Sequence, residues 1–112
     1  MTETIGAAAR AVAAPGTEIS AVTSSMGPVS IEGYYDEAFA VPGLIQALLN
    51  APDADAAIVA CFDDTGLDAA RTAAPFPVVG ICEAALVTAG QIAKRIAVVT
   101  TDRKSTRLNS SH

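Results

Sequence analysis

Three short apolar runs set the tightest limit on what this chain can fold into: AAIVAC ending at Cys61, VVGI starting at Val78, and IAVVTT starting at Ile96. Runs without polar alternation fit strands covered on both faces, as in parallel sheets. Between them lie segments with helical spacing, FDDTGLDAAR and EAALVTAGQIAK. Strands that alternate with short helices predict an α/β fold, with a parallel sheet, flanking helices and right-handed crossovers. At 112 residues the chain holds one domain. Aromatic residues make up only 4% of it, so the core must be built from Val, Ile, Leu and Ala.

The remaining segments fill in this outline. Thr4 is expected to cap a helix running to Val12, with Ile5, Ala8, Ala9 and Val12 on one apolar stripe and Pro15-Gly16 ending it. TEISAVTS alternates like a strand. Gly27 and Pro28 break regular structure in the loop that follows. A helix is predicted from Tyr35 to Leu49, kinked or restarted at Pro42-Gly43. Thr65-Gly66-Leu67-Asp68 fits a capping box for a helix reaching Ala73.

Composition excludes several classes of partner. The net charge of −5 argues against nucleic acid and against an anionic membrane surface. No apolar stretch approaches the roughly 18 residues of a membrane span, and the start, MTETIGAAARAVAAPG, lacks the basic and apolar regions of a secretory signal. Cys61 and Cys82 stand at a spacing that matches no zinc or redox motif, which suits free thiols in the cytoplasm. A Cys61–Cys82 disulfide is the less favoured alternative. No metal site is expected.

Residues 102–112, DRKSTRLNSSH, differ in character, with no apolar periodicity and three of the seven basic residues. Without Asp102, Arg103, Lys104 and Arg107 the chain has four basic residues against eleven acidic ones. Codon by codon, the segment can be written as a common sequencing-library adapter read in one frame. It is expected to be an artefactual, disordered tail on a domain spanning residues 1–101. His112, the single histidine, lies within it and so has no role as base or ligand.

Cys61 is the leading candidate for chemistry. A thiol at the carboxyl end of a strand, beside a helix amino terminus, sits where α/β proteins build their sites and where the helix dipole favours thiolate. The alternative is a buried apolar cysteine with no chemistry. Cys82 reads as passive packing near the site rim. Asp63 and Asp64 either cap the following helix or act on a ligand, and Glu83 either complements a helix dipole or touches substrate. Gly27 and Pro28 shape a loop that covers a ligand or only turns the chain. Tyr34 and Tyr35 are expected to be half-buried, and Thr100 and Thr101 stand at a strand end facing the same edge as Cys61.

Taken together, TSSMGPVSIEGYYDEAF, ACFDDTGLDAAR, PFPVVGICEAA and RIAVVTT resemble the hydantoin and allantoin racemases of the aspartate/glutamate racemase superfamily. The resemblance covers Met1 to Thr101, in order. It implies one partial lobe of a two-lobed α/β enzyme, which uses one cysteine from each lobe and no cofactor. Cys61 takes the place of the first-lobe cysteine. Cys82 falls where a small residue is expected, and the second family cysteine lies further downstream. The family's opening strand and Asn-Pro-Asn-Thr loop are also missing, so the chain looks truncated at both ends. The loss of a central strand would leave an apolar edge, an aggregation hazard.

The implied chemistry is proton transfer at a carbon between a carbonyl and a nitrogen. Inversion there needs a base on one face and an acid on the other, and a thiol with a pKa of about 8.5 serves as either. The amides of Phe62, Asp63 and Asp64 are candidate donors to the enolate-like intermediate. Ser25, Gly27, Pro28, Phe62, Asp63, Asp64, Glu83 and Thr100 form the expected substrate-binding set around Cys61. The substrate class is a cyclic ureide or a related amino-acid derivative, and the intact protein is expected to be a homo-oligomer. A decarboxylase or cis-trans isomerase of the same superfamily, or a non-catalytic α/β ligand-binding module, remains the alternative. The fragment itself is expected to be inactive.

Overall fold

The structure is a computed structural model that describes residues 1–28, 31 and 33–99. Its elements run α1 (Thr2–Val12), α2 (Tyr34–Leu49), β1 (Ala57–Val59), α3 (Leu67–Ala73), β2 (Val78–Gly80) and α4 (Ile81–Ile92). β1 and β2 pair in parallel, with Ala57 opposite Val78, Ile58 opposite Val79 and Val59 opposite Gly80. The β1-α3-β2 unit confirms the α/β class expected from the apolar runs.

The core lies on one face of this small sheet. Leu48 of α2, Val59, Leu67 and Ala70 of α3, and Val78 are buried together, with Leu44, Ile45, Ala57, Cys61, Ala74 and Phe76 packed around them. Burying each large aliphatic side chain contributes roughly 1.5–3 kcal/mol, which makes this cluster the main driving force of the fold. The strands alternate, because Ile58 and Val79 point away from the core and are exposed. The sheet is therefore covered on one side only, whereas the wholly apolar runs predict cover on both.

Other expectations also shift. TEISAVTS and residues 96–99 form no strand among the described residues. Alternation makes a strand possible, but a strand exists only where a ladder partner stands beside it. Residues 17–24 instead run extended past α1, held where the Arg10 guanidinium donates from Nε and Nη2 to the Ile19 carbonyl at 3.2 and 3.0 Å. α1 starts two residues before the expected Thr4 cap. Of the stripe expected on α1, Ile5 and Val12 are exposed, and the buried residue is Gly6, which meets Ala21.

α2 passes through Pro42-Gly43 as one helix, without the expected restart. Pro42 removes one helical donor, and Gly43 lets the Ser24–Met26 turn lie directly on the helix, where a Cβ would overlap Ser24 Oγ and the Met26 carbonyl oxygen. Tyr34 and Tyr35 are exposed rather than half-buried, Tyr35 stacking at a tilt on Phe39 with ring centroids 4.8 Å apart. α3 ends at Ala74, whose extended backbone is what a residue before proline adopts. Thr100 and Thr101, and the tail at 102–112, lie outside the described residues.

At the end of β2 the chain turns straight into α4 through Gly80, the residue at the helix N-cap position. A Cβ on Gly80 would overlap the carboxylate of Asp64. Gly80→Ala is therefore expected to destabilise the chain by about 1–3 kcal/mol, the usual range for overpacking. Urea unfolding followed by circular dichroism measures this, and an unchanged midpoint would refute the contact.

Candidate functional site

The loop between β1 and α3 carries the candidate site, and Asp64 shapes this loop. Its backbone sits in the left-handed region at φ 54°, which Asp tolerates better than most side chains. Its N–H donates to the Cys61 carbonyl at 2.8 Å and its own carbonyl accepts from Leu67 N at 3.0 Å. The tight turn thus joins the end of β1 to the first residue of α3. From this position the carboxylate reaches across to α4, accepting the Cys82 N–H at 2.9 Å on Oδ1 and the Glu83 N–H at 2.8 Å on Oδ2.

Those amides are the second and third of α4, the pair that an N-cap side chain normally satisfies. Gly80 has no side chain, so Asp64 caps the helix from a distant loop. The expectation that the aspartates cap the following helix is thus corrected: Asp64 caps α4, not α3. The capping box at Thr65 does not form either. α3 is preceded by Gly66 in the left-handed region at φ 75°, and no side chain caps it.

The Thr65 hydroxyl is drawn elsewhere. Thr65 is buried, and its Oγ1 lies 3.3 Å from Cys61 Sγ and donates to Glu37 Oε1 at 3.4 Å. Cys61 is half-buried at the edge of the core. A chain of polar atoms therefore runs from the thiol through a hydroxyl to a carboxylate in the first turn of α2. Beside it lies an open depression of about 430 Å³, lined by Tyr34, Glu37, Ala38, Val41, Asp63, Asp64, Thr65 and Gly66.

Of the residues expected around Cys61, Asp63 and Asp64 line this depression. Phe62 lies next to the thiol in sequence and is partly exposed. The Asp64 amide is used inside the turn, so it does not face outward as a donor. Ser25, Gly27 and Pro28 do not line the depression; Gly27, at φ 107°, packs against the Phe39 carbonyl of α2. Glu83 turns away to Arg71, whose Nη2 lies 2.7 Å from Glu83 Oε1 while its Nε donates to the Val78 carbonyl. Thr100 lies outside the described residues. Thr65 and Glu37 were not expected in the site. The threonine four residues after the cysteine was a usable signal, whereas nothing local in the sequence points to Glu37.

The two cysteines, both free, differ in setting. Cys82 is 3% exposed, and burial, followed by the Asp64 and Asp63 carboxylates, pushes its thiol pKa up. Hydrogen bonding to Arg71 holds the Glu83 carboxyl below the usual range, and the same pairing raises the Arg71 guanidinium. Among the described residues no group of three or more His, Cys, Asp or Glu side chains could hold a metal ion. No helix among them is long and apolar enough to cross a membrane.

Residues 1–110 match the sequence model of the Asp/Glu/Hydantoin racemase family. The chain belongs to that family. Within the Asp/Glu/hydantoin racemases it is 44% identical over 102 residues to a hydantoin racemase of Pseudomonas sp. (strain NS671), covering 89% of this chain and 41% of that protein. It is 47% identical over 87 residues to a hydantoin racemase of Rhizobium meliloti, covering 76% of this chain and 36% of that one. The allantoin racemase from Klebsiella pneumoniae has a similar structure, with a TM-score of 0.77 and 52% identity over 80% of this chain and 38% of the other. The chain thus spans about two-fifths of the length of the racemases it matches.

Two outcomes follow from the geometry. Asp64→Ala removes the acceptor of two amides and is expected to cost about 1–3 kcal/mol. Asp64→Asn keeps one acceptor oxygen and the tolerance for positive φ, so it should cost less; urea midpoints that reverse this order would refute the cap. Alkylation by iodoacetamide, followed peptide by peptide, should modify Cys61 well before Cys82 at neutral pH. Because the Cys82 pKa is raised, the folded state resists ionisation and loses stability as pH rises past the ordinary thiol range. In a Cys82→Ala variant that alkaline loss should shrink.

Proposed function

We propose that Cys61 is one of two thiols in a cofactor-independent racemase acting on a five-membered cyclic ureide, such as a hydantoin or allantoin, or on a related amino-acid derivative. Membership of the Asp/Glu/hydantoin racemase family supports the reaction type, and the named activities of the similar proteins support the substrate class. The observation that carries the reading is the half-buried Cys61 thiol at the β1 end, hydrogen-bonded to Thr65 beside an open depression. In this reading residues 1–101 form the first-lobe part, 102–112 add nothing to the site, and the enzyme works as a cytoplasmic homo-oligomer.

The chemistry needs one group to take the proton and another, on the opposite face, to return one. Cys61 serves one face. Cys82, the other cysteine of the chain, is buried behind the Asp64 carboxylate with a raised pKa, so it is a poor second partner. The second acid is assigned to sequence outside these 112 residues, in keeping with the two-fifths coverage of the similar racemases. In this reading Asp63 and Tyr34, which line the depression, contact polar edges of the ring.

Racemisation of one enantiomer of a 5-substituted hydantoin, followed by chiral chromatography in D2O, tests this. The chain alone should show no turnover. Mixed with the second lobe of the Pseudomonas sp. hydantoin racemase it should racemise substrate with deuterium incorporated at the inverted carbon, and Cys61→Ser should abolish that activity. Turnover by the chain alone, or activity that survives Cys61→Ser, would overturn the reading.

A further inference from the structure

Thr65 has one hydroxyl hydrogen to share between two neighbours. A carboxylate can only accept a hydrogen bond, whereas a hydroxyl donates one and accepts others. The Thr65 hydroxyl can give its hydrogen to Glu37 Oε1, 3.4 Å away. In the contact from Thr65 Oγ1 to Cys61 Sγ, at 3.3 Å, either atom can donate; when the hydroxyl hydrogen is on Glu37, sulfur donates and oxygen accepts. That pattern is one that a neutral thiol allows.

Once Cys61 has given its proton away, the same geometry no longer works. A thiolate has no hydrogen to donate, and two acceptors would face each other across 3.3 Å. Rotation about the Thr65 side chain restores the bond by bringing the hydroxyl hydrogen onto sulfur and away from Glu37. The S–H bond is the only one broken, its proton goes to the reaction partner or to solvent, and Thr65 keeps its own.

We propose that Thr65 is a two-position hydroxyl that follows the charge on Cys61, turned to Glu37 when the sulfur is a thiol and to the sulfur when it is a thiolate. Glu37 is the competing acceptor that biases the resting site toward the thiol. Both are positioning residues. The proposal rests on the reading of Cys61 as the proton-transfer group, but it concerns the ionisation of the thiol itself. The other charged and titratable groups around the thiol are fixed by different contacts: the Asp64 carboxylate by the α4 amides, Glu83 by Arg71, and Cys82 by burial behind Asp64, while Asp63 lines the depression.

Rates of iodoacetamide modification of Cys61 across pH 6 to 10, resolved by peptide mass spectrometry in the whole chain, test the proposal, because the rate tracks the thiolate fraction. Thr65→Val keeps the shape but removes the donor to the thiolate, and should slow the reaction at pH 7.5 about threefold to tenfold. Glu37→Gln removes the charged competitor and should speed it about twofold to fivefold. Thr65→Ser should restore the original profile. Opposite signs for Thr65→Val and Glu37→Gln are the decisive result; shifts in the same direction mean a packing effect and overturn the proposal, as does failure of Thr65→Ser to restore. If Thr65→Val does not fold, an unchanged or slower rate in Glu37→Gln overturns it. These rates do not depend on turnover, so failure of the racemase reading would show separately.

Discussion

The Asp64 carboxylate holds the working part of this molecule together. Two charge-assisted bonds to the Cys82 and Glu83 amides fasten the start of α4 to the loop that follows β1. The same residue, through its own amide and carbonyl, ties Cys61 to Leu67. Gly80 is required because the carboxylate occupies the volume where its side chain would stand. One side chain thus ties together the loop bearing the thiol, the helix that follows it and the helix after β2.

This clamp rests on a small, one-sided core. Leu48, Val59, Leu67, Ala70 and Val78 anchor α2 and α3 to the same face of a two-stranded sheet. The burial of Leu67 and Ala70 orients α3, which in turn places Thr65 under the thiol and within reach of α2. The candidate site therefore lies at the edge of this core. α1 is attached to the segment after it through a glycine contact and an arginine bonded to a carbonyl, and that segment meets α2 where the Ser24–Met26 turn lies on Gly43.

The sequence was most readable where the physics is local. Apolar runs flanked by helical spacing marked β1, α3, β2 and α4, because strand and helix periodicity are written within a few residues. Cys61 stood out for the same reason. Asp64 was misread because an N-cap is normally sought just before its own helix, whereas this one serves a helix beyond the next strand. Thr65 was misread in the same way: a capping motif was legible, but the competing attraction of a sulfur and a carboxylate from α2 was not. TEISAVTS shows the converse, a strand-like pattern with no ladder to join.

The spacing of the Asp64 bonds also bears on how the site assembles. They close chain segments of 18 and 19 residues, and the Thr65 to Glu37 contact closes one of 28. Since each doubling of a closed loop adds only about 0.6 kcal/mol of chain-entropy cost, these closures differ little from one another in that cost. Among the described residues, the bonds named here around the Cys61 sulfur lie within a single continuous stretch from α2 to the first turn of α4. These bonds need no contribution from the amino-terminal helix, so a change in α1 leaves them their partners.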